Sequence, residues 1–82
     1  IFKNPTGEYS GQIIDELGLK GRRVGGAEIS NLHGNFIVNR GNATCADIIA
    51  LIKDVREEVR RNRGIDLRPE VLLLGRNWDE VL

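Results

Sequence analysis

Methionine is absent from this chain, and cysteine and histidine occur once each. A single cysteine, Cys45, closes no internal disulfide, which suits a reducing compartment. With one histidine there are no paired metal-ligand spacings, and neither a Ser-His-Asp array nor a glycine-rich phosphate-binding fingerprint is present. Net charge is missing as well. Twelve basic and twelve acidic side chains cancel, which argues against a nucleic-acid module, whose affinity comes mostly from excess Lys and Arg meeting phosphates. No apolar run reaches the roughly 18 residues of a membrane-spanning helix, and no basic-then-apolar leader is seen, so the expectation is a soluble, cytoplasmic domain without a membrane partner. Aromatics make up only 5% of the 82 residues. A domain of this size buries about 60 to 65% of its unfolded surface, so the core is thin and a neighbouring domain is invited. The lack of Met and a start inside an apolar stretch at Ile1 read as a piece cut from a longer protein.

What is present is arranged around VGGAEISNLHGNFIVN, residues 24–39, which has a helix pattern on each side and holds His33. It reads as two strands and a loop. Gly25 and Gly26 permit close approach of a backbone to a neighbour or a ligand, and Ser30, Asn31 and Asn35 gather hydrogen-bonding groups around His33. That is the pattern of a binding loop on a sheet, and equally of a polar turn between strands.

Upstream, Ile1 and Phe2 end a strand that turns at Pro5, leaving Lys3 and Asn4 at its tip, either as ligand contacts or as solvated turn residues. Ser10 is placed to cap a helix over SGQIIDELG with Ile13, Ile14 and Leu17 as its buried stripe, closed by Gly18 with Leu19 folding back. Residues 20–23, KGRR, form a basic connector that could face a diphosphate but more often is a solvated loop. Strands are expected over 24–29 and 35–38, with Ile29, Phe36 and Val38 feeding the core. Thr44 and Asp47 make a capping-box start for the longest helix, Cys45 to about Arg63, ended by Gly64. Ile48, Leu51, Ile52, Val55 and Val59 recur at three- and four-residue intervals and form its buried stripe. Cys45 in its first turn could be a somewhat activated thiol, but a lone cysteine beside small residues is more often a packing residue. Val71 to Leu74 is a continuous apolar run, hence a strand buried on both faces. Glu70 stands at its mouth, either a solvated end residue or a carboxyl held for proton transfer. Trp78 is expected on an apolar surface. The fold predicted is α+β, a single domain over 1–82. It has a sheet of about four strands near 1–3, 24–29, 35–39 and 71–75, covered by two helices.

The pieces IFKNP, IIDELGLKGRRVGGAEIS, HGNFIVN, GNATCADIIALI and LRPEV, in this order and at these spacings, resemble the C-terminal domain of the UDP-N-acetylenolpyruvoylglucosamine reductase family, flavoenzymes of peptidoglycan precursor synthesis. The resemblance covers residues 1 to about 75. It implies a three-domain bacterial cytoplasmic enzyme in which two other domains, absent from this chain, hold FAD, and this one closes over the substrate, UDP-N-acetylglucosamine enolpyruvate. In that family NADPH reduces the flavin, the flavin passes hydride to the enolpyruvyl double bond, and a serine or cysteine gives the proton, assisted by a carboxylate in the last strand. The family's serine lies immediately before the position of Ile1. Glu70 in PEV matches the catalytic glutamate, Asn4 in FKNP matches a substrate-contacting asparagine, and His33 falls at a polar ligand contact, with Lys3 beside Asn4 as a further candidate. Arg68 and Leu72 depart from the usual acidic and basic residues around PEV. The short interval between FKNP and GGA resembles the branch without the large insertion. FAD and NADPH are therefore expected in the whole enzyme and neither on this chain alone. The alternative is a stand-alone protein-interaction or sugar-nucleotide-binding module without catalysis.

Overall fold

A computed structural model describes residues 2–4 and 7–69. Its elements run α1 (Ser10–Glu16), β1 (Arg23–Val24), β2 (Ala27–Ile29), β3 (Ile37–Asn39) and α2 (Cys45–Arg63), so the class is α+β. The three strands form one antiparallel sheet in the order β1-β2-β3, and α2 packs across β1 and β2.

The strand expected over 24–29 is a two-residue hairpin. Arg23 faces Glu28 and Val24 faces Ala27, with Gly25 and Gly26 as the turn. Gly25 has φ +54°, a left-handed value that costs a side-chain-bearing residue but not glycine, so the chain reverses where the sequence put strand interior. The register of β3 also differs from expectation. Ile37 sits opposite Ile29 and packs against the core, whereas Phe36 is 59% exposed and Val38 is half-buried. Successive strand side chains point to opposite faces, so placing Ile37 inward turns both neighbours away. The strand near 1–3 is reduced to an antiparallel bridge between Phe2 and Pro69, beside which the Lys3 N–H donates to the Arg68 carbonyl at 2.9 Å. The strand expected over 71–75, Glu70 and Trp78 lie outside the described residues.

The long helix forms as its pattern dictates. Thr44 Oγ1 accepts from the Asp47 N–H at 3.0 Å while Asp47 Oδ2 accepts from the Thr44 N–H at 3.1 Å, and Gly64, with φ +66°, ends the helix. Leu51, Ile52, Val55 and Val59 are fully buried against Ile13 and Ile14 of α1, Ala27 and Ile29 of β2, and Phe2 and Leu67 from the two ends. Burying each such side chain fully is worth roughly 1.5–3 kcal/mol, so this cluster is what makes α2 a stable element of a small domain. Arg22 fastens the KGRR connector to α2 through Asp54 at 3.0 Å and Glu58 at 3.6 Å. Cys45 is exposed, so it does not pack as expected. The buried stripe of α2 starts three residues later with half-buried Ile48.

At α1 the start differs from expectation by one residue. Tyr9 is the N-cap and makes no side-chain cap bond, and Ser10 is the first helical residue, buried. Its backbone N–H donates to Asn4 Oδ1 at 3.0 Å and its hydroxyl donates to the Lys3 carbonyl at 2.8 Å. The far end follows the pattern: the Leu19 N–H reaches the Ile14 carbonyl at 3.0 Å and the Leu19 side chain is 3% exposed.

Candidate functional site

Phe2 is the residue on which the candidate segments converge. Its side chain is buried, its backbone bridges Pro69, and its N–H and carbonyl are both bonded to the side chain of Asn35. Pro69 directly precedes Glu70 in sequence, Asn35 lies two residues beyond His33, and Phe2 is followed by Lys3 and Asn4. The fold thus brings together Phe2, Asn35 and Pro69, which are far apart in sequence. Of the sequence-predicted site residues, Lys3, Asn4 and His33 are described, and all three are exposed. Glu70 lies beyond the described residues.

Asn4 is tied to α1. Because its Oδ1 accepts from the Ser10 N–H, the first backbone donor of that helix is satisfied from six residues upstream, the work the sequence assigned to the Ser10 hydroxyl. The acceptor side of the Asn4 carboxamide is thereby engaged. Its NH2 group is in no hydrogen bond among the described residues, and a ligand oxygen is the complementary partner for it.

The loop carrying His33 is shaped by Ser30, whose Oγ accepts from the N–H groups of Leu32 at 3.1 Å and His33 at 3.2 Å. The Phe36 N–H returns to the His33 carbonyl at 3.0 Å, closing a turn. The imidazole meets the Phe36 ring edge-to-face, with centroids 5.4 Å apart and planes at 86°. That contact gives a solvent-facing imidazole a defined orientation, and it explains what Phe36 does outside the core. Leu32, at the tip, is 82% exposed.

Two features that looked ligand-directed in sequence are structural. A Cβ on Gly26 would come within 2.1 Å of the Gly41 carbonyl oxygen and one on Gly25 within 2.5 Å of Asp47 Oδ2, so Gly26 admits the loop before α2 and Gly25 the Asp47 side chain of its first turn. The charges of KGRR are used internally: Arg22 on α2, Lys20 at 3.5 Å from Asp15, and Arg23 Nε donating to the Gly25 carbonyl at 2.8 Å.

Sequence reading named Asn35 only as one polar group among several, and missed Ser10 as an anchor for Lys3. Their roles depend on contacts 33 and 7 residues apart along the chain, which no local pattern encodes. One surface depression of about 290 Å³ is lined by Glu8, Tyr9, Gln12 and Glu16 among others, and another of about 230 Å³ by Lys53, Arg56, Glu57 and Arg60. Both are open and lined largely by polar and charged side chains.

A profile of the family described as UDP-N-acetylenolpyruvoylglucosamine reductase, C-terminal domain, matches residues 1–74. The chain belongs to this family. It is 60% identical over 75 residues to the UDP-N-acetylenolpyruvoylglucosamine reductase of Synechococcus sp. (strain CC9311), covering 92% of this chain and 24% of that one. It is 55% identical over 75 residues to the enzyme of the same name from Moorella thermoacetica, covering 92% and 25%. The crystal structure of UDP-N-acetylenolpyruvylglucosamine reductase from Thermus caldophilus is similar with a TM-score of 0.67 at 48% identity, covering 80% of this chain and 23% of that one. The chain spans about a quarter of the length of these reductases. The matched region contains Phe2, Asn35 and Pro69, which meet in the fold.

Proposed function

We propose that this chain is the domain of a UDP-N-acetylenolpyruvoylglucosamine reductase that closes over the substrate, UDP-N-acetylglucosamine enolpyruvate, as it is reduced to UDP-N-acetylmuramate in peptidoglycan precursor synthesis. The observation that carries this reading is the convergence of the candidate segments on Phe2, in a chain that matches the family over residues 1–74. In this reading Asn4 donates from its carboxamide NH2 to a substrate oxygen, Lys3 supplies positive charge beside it, and His33 hydrogen-bonds the substrate from the opposite loop. Glu70 assists proton delivery to the substrate carbon. FAD and NADPH act from domains outside this chain, where the flavin supplies the hydride. The setting is the bacterial cytoplasm. Family membership over most of the chain favours this reading over a stand-alone interaction module.

The test is Glu70→Gln in the full-length enzyme. Gln keeps the size and hydrogen-bonding reach of Glu but has no carboxylic proton. NADPH should therefore still reduce the flavin rapidly, while reoxidation by substrate slows by about 10²- to 10⁴-fold in stopped-flow measurements, the usual weight of a positioned acid. Turnover within a few-fold of wild type, with equal substrate binding, would overturn the assignment.

A further inference from the structure

We infer that Asn35 is a positioning residue for substrate binding, clamping the Phe2 backbone and so fixing where Lys3 and Asn4 present their side chains. The inference rests on the preceding reading of Lys3 and Asn4 as substrate contacts. The Phe2 N–H donates to Asn35 Oδ1 at 2.8 Å, and Asn35 Nδ2 donates to the Phe2 carbonyl at 3.0 Å. Two bonds of opposite polarity to one residue are what a neighbouring antiparallel strand would supply, so this side chain stands in for a strand edge. The polarity of the two Phe2 groups also dictates which way the carboxamide faces. On the other side Phe2 bridges Pro69, and its own side chain is 1% exposed, so the residue is held from three directions. Lys3 and Asn4 follow it directly and are anchored next by Ser10.

The clamp is itself firmly seated. A Cβ on Gly34 would lie 2.8 Å from the Gly11 carbonyl oxygen, and one on Gly11 would lie 3.6 Å from the Asn35 Cβ, so the 34–35 backbone rests on the first turn of α1. Asp at position 35 would offer only acceptors and set an oxygen against the Phe2 carbonyl, and Ala would reach neither group.

The experiment uses Asn35→Asp and Asn35→Ala in the full-length reductase. Substrate dissociation constants are measured by calorimetry, the rate of flavin reduction by NADPH by stopped flow, and amide exchange by mass spectrometry. We expect substrate binding about 10- to 100-fold weaker, the order of loss when hydrogen bonds to a ligand are no longer made. NADPH should reduce the flavin at the wild-type rate, and exchange should accelerate over residues 2–4 but not within α2. A merely structural role would instead accelerate exchange throughout the core and lower both half-reactions together. That pattern, or unchanged substrate affinity, overturns the inference. Wild-type exchange supplies an arm that needs no folded variant: the Phe2 amide must be protected as those of β2 are, and exchange at the rate of an exposed loop also overturns the clamp. Wild-type enzyme that fails to bind UDP-N-acetylglucosamine enolpyruvate overturns the preceding reading, and this inference with it, before any variant is made.

Discussion

In the proposed function Asn4 carries two tasks on the two ends of one carboxamide, and single substitutions separate them. Asn4→Asp keeps an oxygen for the Ser10 N–H, and a negative charge at a helix start is favourable, so unfolding by urea should stay within about 0.5 kcal/mol of wild type. The same change removes the NH2 donor, and substrate affinity should fall about tenfold or more, as for a lost hydrogen bond at a buried ligand oxygen. Asn4→Ala removes both and should cost about 1 kcal/mol of stability as well. Substrate binding at wild-type strength in the Asp variant would show that Asn4 is only a cap. Gly26→Ala is a different kind of residue effect. The added Cβ meets backbone atoms of Gly41 and Ala43 at 2.1 and 2.6 Å, and backbone cannot swing aside as a side chain can. Loss of about 2 kcal/mol or more in urea unfolding is expected, within the range for overpacking, and no change would mean that the loop is looser than its contacts imply.

Of the elements, α2 was the most legible in sequence, because its stripe, capping box and terminal glycine are all local signals and agree with one another. The sheet was less so. Glycines 25 and 26 between Val24 and Ala27 are a two-residue hairpin signal, yet the six-residue stretch also fits one strand, and only the register decides. Whether Phe36 or Ile37 faces inward likewise turns on a one-residue phase that two adjacent apolar residues leave open. At α2, Leu51→Ala should cost about 2–5 kcal/mol by denaturant unfolding, since the side chain is fully buried among helix and sheet residues. The start of α2 should respond to acid. The N–H of Thr44 first, then that of Gly26, holds the Asp47 carboxyl below its ordinary value of 3.8. A carboxyl lowered by folding contributes its stability in full above the unfolded value and loses it as pH falls below 3.8 through the folded one. Asp47→Asn should therefore flatten this part of the acid limb of a plot of melting temperature against pH, and leave the rest of the plot parallel to wild type.

At the scale of the whole molecule, the three candidate segments were legible as fragments of a family pattern, but their meeting place was not. Phe2 joins Asn35 across 33 residues, and that closure is a property of the folded chain alone. Residues 1–82 expressed alone should purify without visible flavin absorbance and fail to reduce enolpyruvate while retaining the helical circular dichroism of α2; flavin carried through purification would contradict the placement of FAD on other domains. The Phe2–Pro69 bridge has a mechanical side too. Its antiparallel pairing makes everything from residue 3 to 68 a closed loop whose two ends touch. Such a unit tolerates circular permutation, because a short linker from Pro69 to Phe2 reconnects the chain without spanning the fold. Pulled at those same two residues, it should open as a zipper does, one bond after another at low force, instead of resisting in shear.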